Sequence, residues 1–216
     1  MDFNAYPITI LLIAVNVLVS LLGFSNASFV DKTILWPYRI KRERQYYRMI
    51  TSGFLHADFV HLFFNMFTLF FFGRNIEIYF SYYGLGGQLT YLLLYFTALI
   101  VSDISSYLKH KDNHQYRALG ASGAVSAVVF AAIVFDPWGA IYLYGAIKIS
   151  ATIYAVLFIV YCVYMGKRGQ DNVNHDAHLW GSVYGLVFTL ILIALMQPIL
   201  FEGIIDEISN PSIFGK

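Results

Sequence analysis

The chain has 216 residues, 58% hydrophobic, 18% aromatic and 12% charged, with a mean hydropathy of +0.62 and a net charge of +1. That composition lies far outside the range of a soluble globular domain, and so small a net charge gives no reason to expect a nucleic-acid partner. A single cysteine, Cys162, excludes an internal disulfide and a cysteine-based metal site, and it reads as a buried small hydrophobe.

Six apolar runs approach the roughly 17–25 residues that cross a hydrocarbon core. They lie at about Pro7–Phe24, Phe59–Phe80, Gln88–Tyr107, Ala118–Phe135, Ile149–Met165 and Ala177–Phe201. Backbone groups in lipid need partners inside the segment, and these runs lack the alternation of barrel strands, so each predicts a helix. With no linker of Pro/Gly/Ser character and no internal repeat, the expectation is an all-α polytopic membrane protein in one domain, residues 1–216.

The first run has no basic segment before it and no small-x-small cleavage site after it, so it predicts a retained helix. From Ser25 to Ala57 aromatic residues such as Trp36, Tyr38 and Tyr47 mix with Arg39, Lys41, Arg42, Arg44 and Arg48, a pattern suited to the headgroup layer. The second run opens with His61 and Asn65, four apart and therefore on one helix face, and carries Glu77 near its far end. Past the third run, Gly120-Ala121-Ser122-Gly123 opens the fourth. From Gly120 to Phe135, at about 1.5 Å per residue, this run covers roughly 24 Å, short of the ~30 Å core. Ser122 is therefore expected below one membrane surface, beside a wet pocket. The fifth run is uniformly bulky and reads as loosely held, and Gly166–Asp176 has a mobile composition. In the sixth run His178, Gly181 and Gly185 share a face that could approach Gly123, Ala127 and Ala131 of the fourth. His56, Glu77 and Asp103 read as structural, and His110, His114 and His175 as solvated loop residues.

Alternating helices put the starts of the second, fourth and sixth runs on one side of the membrane. Ser122, His178 and the His61/Asn65 pair are then at similar depth. A hydroxyl among small residues at a helix start is displayed as a nucleophile, and a neutral imidazole can take its proton. The Ser122 backbone N–H, the His61 ring N–H and the Asn65 amide can stabilise an oxyanion. No carboxylate is placed to orient His178, which favours a Ser–His dyad.

These motifs make the chain resemble the rhomboid intramembrane serine proteases: Gly120-Ala121-Ser122-Gly123 matches GxSG, His61 to Asn65 matches His-x-x-x-Asn, and Ala177, His178, Gly181 and Gly185 match AHxxGxxxG. The resemblance implies a six-transmembrane-helix bundle with Ser122 as nucleophile, His178 as base, His61 and Asn65 as oxyanion donors, and structural roles for His56 and Glu77. It further implies transmembrane protein substrates cleaved within the bilayer, with the fifth helix and the loop before the sixth as gate and cap, and no metal or organic cofactor. Two departures stand out. Ser126 occupies the position where many members carry a tyrosine under the histidine, and Trp36 and Arg39 replace an adjacent Trp-Arg pair. The rival readings are a catalytically inactive member that binds membrane helices and, from another class, a small transporter, which should show broken helices or paired acids at mid-membrane. A metalloprotease lacks its HExxH motif. The resemblance places the active site towards the outside of a prokaryotic cell membrane, whereas the Lys/Arg excess of the loops on the Ser122 side argues for the reverse by the positive-inside rule.

Overall fold

The computed structural model describes residues 6–143, 146–169 and 173–212. Five helices are long and apolar enough to cross a membrane: α1 (Pro7–Ser25), α5 (Phe59–Tyr82), α6 (Gly87–His110), α8 (Ala151–Arg168) and α9 (His175–Met196). The fourth apolar run forms a shorter helix, α7 (Ser122–Phe135), of 14 residues. At 1.5 Å per residue it is roughly 21 Å long, too short to span the bilayer by itself. It is tolerated because its residues from Gly123 to Val134 are all buried inside the bundle, with α5, α6 and α9 packed around it. The aliphatic and aromatic side chains that a soluble protein would bury instead face outward, among them Leu11, Phe63, Phe67, Val156, Val160 and Ile191. This is the surface of a multi-pass membrane protein, whose solvent on that face is lipid.

Polar contacts in the bundle fix how the helices meet. The Glu77 carboxylate, 1% exposed, accepts from the Ile8 and Thr9 N–H groups at 2.9 and 2.8 Å and from the Thr9 hydroxyl at 2.9 Å. It caps the start of α1, where unpaired N–H groups favour negative charge. Asn16 of α1 reaches the Tyr95 hydroxyl of α6 at 3.1 Å.

The long first connection folds into α2 (Ala27–Thr33), α3 (Pro37–Glu43), α4 (Arg48–Thr51) and a 3-10 turn at Ser52–Phe54. Its basic residues divide into two groups. Lys41, Arg42 and Arg44 are exposed. Arg48 is buried, its guanidinium satisfied by the Asp31 and Ile34 carbonyls at 2.9 Å and by Gln45 Oε1 at 2.6 Å. Arg39 and Arg117 lie on the Trp36 ring, 4.2 and 3.9 Å from its centroid, so a stacked pair replaces sequence adjacency.

Two elements depart from the sequence-based expectation. A hairpin of β1 (Ala140–Leu143) and β2 (Ile147–Ser150) takes the first two residues assigned to the fifth helix, whose true start is set by the Ser150 hydroxyl accepting from Ile153 N–H. The sixth run breaks at Pro198, whose missing N–H ends α9 at Met196, and a separate helix α10 (Leu200–Ser209) follows. Its Leu200, Phe201 and Ile204 pack on the core while Glu202, Asp206 and Glu207 face outward or sit half-buried.

Candidate active site

Ser122 is the first residue of α7, and the chain reaches it through Gly120, whose φ of 131° few residues with a side chain adopt. A Cβ on Gly120 would lie 2.9 Å from Cε1 and 3.1 Å from Nε2 of His61, and 3.7 Å from Ser122 Oγ. The glycine therefore lets the His61 ring close on the backbone just ahead of Ser122, so ring and hydroxyl border one small space. The first N–H groups of α7 have no acceptor within the helix, and its ladder begins with Val125 N–H bonding the Ala121 carbonyl at 2.9 Å.

The position of His61 is set locally. Asp58 caps α5 by accepting from His61 N–H at 2.8 Å. The Ala57 N–H points to His61 Nδ1 at 3.4 Å, which leaves Nε2 as the ring's N–H donor on the Gly120 side. One turn on, Asn65 is buried and gives one amide hydrogen to the His61 carbonyl at 3.0 Å. The neighbouring His56 is also buried, its Nδ1 2.8 Å from Ser20 Oγ and its ring 5.0 Å from that of His61. Burial holds its pKa down at about 3, with the charge of His61 adding to the effect, so it stays neutral near pH 7.

The start of α9 is held by Asn174, whose Oδ1 accepts from Ala177 N–H at 3.2 Å and whose amide bonds Ser106 Oγ of α6 at 2.9 Å. Close contact between α7 and α9 then depends on small residues. A Cβ on Gly181 would fall 2.1 Å from the Gly123 carbonyl oxygen, and one on Gly185 would fall 2.0 Å from that of Ala127. No side chain fits in either gap. Gly123, directly after Ser122, therefore touches Gly181, three residues after His178, and the Ser122 end of α7 lies along the His178 end of α9. Ser52, Ser102, Asp103, Gly120, Ser122 and Asn174 border a polar cavity of about 10 Å³, at the lower limit of what one water occupies.

His178 is half-buried and packs on two rings. Phe158 of α8 stacks on it with centroids 6.1 Å apart and planes 24° apart, and His175 meets it edge-on at 6.0 Å. Ser126, noted above as a departure from the resemblance, is buried within α7. Sequence reasoning missed Phe158, one bulky residue among many on the fifth run with no local pattern to mark it. It also misplaced His175, which is 3% exposed and not solvated. Because α9 begins at His175, two residues before the expected start, this ring lies almost one turn ahead of His178 and turns inward against Tyr161 at 5.4 Å. Cys162 is buried as expected, but it lies beside His175 and His178. His110 stacks on Tyr116, and His114 is exposed between Trp36 and Tyr38. Asp176 accepts from Lys109 Nζ at 2.6 Å. Part of the Gly166–Asp176 loop, residues 170–172, lies outside the described residues, as do residues 1–5 and 213–216 of the expected domain.

This fold is that of a multi-pass helical membrane protein built around a short central helix, with serine and histidine at adjoining helix ends. The family model for the Rhomboid domain matches residues 43–195, and the chain belongs to the rhomboid family. Among its relatives, "RHOMBOID-like protein 12, mitochondrial" of Arabidopsis thaliana is 29% identical over 149 residues, 64% of this chain and 44% of that protein. "RHOMBOID-like protein 6, mitochondrial" of the same plant is 29% identical over 196 residues, 90% of this chain and 57% of its own length. "Putative rhomboid protease YdcA" of Bacillus subtilis is 28% identical over 149 residues, 69% of this chain and 68% of that protein. The chain thus spans about half the length of the plant relatives.

Proposed function

We propose that the chain is an intramembrane serine endopeptidase that cleaves peptide bonds in or next to the transmembrane segments of other membrane proteins. Ser122 Oγ attacks the scissile carbonyl while His178 takes its proton and then gives it to the departing amine. Water next attacks the acyl-enzyme by the same base, releasing the second product. His61 Nε2–H, the Asn65 amide and the Ser122 backbone N–H hold the oxyanion. The observation that supports this reading best is the close approach of α7 to α9 at Gly123 and Gly181, with the His61 ring against Gly120. The occupation of Asp176 by Lys109 fits a dyad in place of a triad. Substrates would need a helix that unwinds readily, because an intact helix hides its carbonyls from attack, and neither metal nor organic cofactor takes part.

A fluorophosphonate applied to detergent-solubilised protein should label Ser122, and Ser122→Ala should lose both labelling and cleavage of a transmembrane substrate while remaining folded. Turnover retained by purified Ser122→Ala would remove the nucleophile. A folded wild-type chain that neither reacts with the reagent nor cleaves any helix, yet retains substrate helices, would favour the inactive binding protein.

A further inference from the structure

Cys162 of α8 and His175 and His178 of α9 each offer one ligand atom, and the three atoms lie within 4.8 Å of one another. We propose that they form a site for a thiophilic divalent cation of the zinc type, which ties α8 to α9 and blocks His178. The residues are of the right kind. Zinc takes thiolates and imidazoles together, and a site with three protein ligands leaves a fourth position to water. Around a tetrahedral zinc, with bonds of about 2.0–2.3 Å, ligand atoms stand roughly 3.3–3.6 Å apart. From separations of up to 4.8 Å, closing therefore takes at most about 1.2–1.5 Å, within the reach of side-chain rotation.

The surroundings suit an ion as well. Cys162 and His175 are 1% and 3% exposed, and the rings of Tyr161 and Phe158 pack on the two histidines. Excluding water in this way strengthens the bond between ion and thiolate. Cys162 lies six residues from the end of α8 at Arg168, which by the rise of a helix is about 9 Å deep. The site is thus shallow, on the side of the bundle where α8 ends and α9 begins. One cysteine alone makes no metal site and the chain carries no HExxH motif, but here two histidines of α9 join the cysteine of α8, a grouping that only the packing of the two helices creates.

On binding, the Cys162 thiol gives its proton to solvent and the ion takes one lone pair from each imidazole. A neutral imidazole has a single nitrogen lone pair. Once either nitrogen of His178 holds the metal, the other carries a hydrogen and cannot accept one from Ser122. The ion is therefore an inhibitor whichever nitrogen it takes. That consequence rests on the protease reading; the site itself does not.

Cobalt(II) added to the purified full-length chain tests the site without reference to activity. A thiolate-to-cobalt charge-transfer band should appear with the visible bands of a four-coordinate ion, and zinc should displace them. Both features should be lost in Cys162→Ser and weakened in His175→Gln. Zinc should also raise the melting midpoint of wild type more than that of either variant. In a cleavage assay zinc should inhibit the wild type reversibly, with recovery on adding EDTA. Loss of an outer-shell partner already costs about 10–100-fold in metal affinity, so Cys162→Ser should require at least about tenfold more zinc. Absence of the thiolate band, or equal zinc inhibition of wild type and Cys162→Ser, would overturn the site. Absence of cleavage in a metal-free chain that shows the cobalt band would instead count against the protease reading and leave the site standing.

Discussion

Phe158 and His178 lie on different helices, and the ring of one supports the plane of the other at 24°. An aromatic pair is worth about 0.5–1.5 kcal/mol beyond the area it buries, or roughly 2- to 12-fold in a rate if the orientation is used in the transition state. Phe158→Ala should therefore lower kcat by about 3–10-fold and shift the acid limb of the kcat/KM profile, and Phe158→Tyr should restore both. An unchanged pH limb in Phe158→Ala would assign the ring to packing alone. His56 provides a pH test of a different kind. Its pKa falls from an ordinary 6.5 to about 3 in the fold. Between those values the unfolded chain binds a proton that the folded chain refuses, so this residue's contribution is full above about pH 6.5 and is lost as pH falls towards 3. The melting midpoint in detergent should drop across that window, and His56→Gln should flatten the drop. The pairing of Phe158 with His178 was not legible in the sequence. Phe158 and His178 stand 20 residues apart, and the spacing within one helix says nothing about which face a second helix will present.

At the scale of elements, α7 and α9 behave as one unit because glycine permits carbonyl-to-helix contact at two successive levels, Gly181 on Gly123 and Gly185 on Ala127. Overpacking a tight interior costs about 1–3 kcal/mol even where neighbours can move, and backbone carbonyls cannot move far. Gly185→Val should therefore lower the melting midpoint, and with it activity, by forcing α9 away from α7. Equal stability of Gly185→Val and wild type would show that this contact does not hold the bundle. The face that makes this contact was legible, since its glycines repeat at helical spacing. By contrast, α8 buries Ala151 and Cys162 and leaves most of its bulky residues against lipid, in keeping with a uniformly bulky run that lacks a small-residue stripe. The hairpin ahead of it and the break at Pro198 were not anticipated. The apolar fifth run takes in Ile149 and Ser150 from the end of the hairpin, and apolar residues on both sides of Gln197-Pro198 carry a hydropathy reading across the break.

Across the whole molecule, the ends of α7 point to opposite faces of the bundle, the Ser122 end meeting the α6–α7 connection and the Phe135 end meeting the hairpin. Exposed Gln115 and Lys148 report these two faces, with Cys162 buried and silent at 1% exposure. In intact cells an impermeant thiol reagent should reach Gln115→Cys and not Lys148→Cys if the Ser122 side faces outward. The opposite pattern would side with the Lys/Arg distribution and turn the site to the cytoplasm.

The sequence by itself determined the helical class, the approximate spans and the glycine face of α9. Each of these follows from hydropathy, length or spacing along one helix, and such properties are local. Only the tertiary structure decided that Glu77 caps α1, that Arg39 and Arg117 both lie over the Trp36 ring, and that Phe158, His175 and Cys162 lie beside His178. Most of those contacts join side chains far apart in the sequence, and which faces meet is decided only when the helices pack.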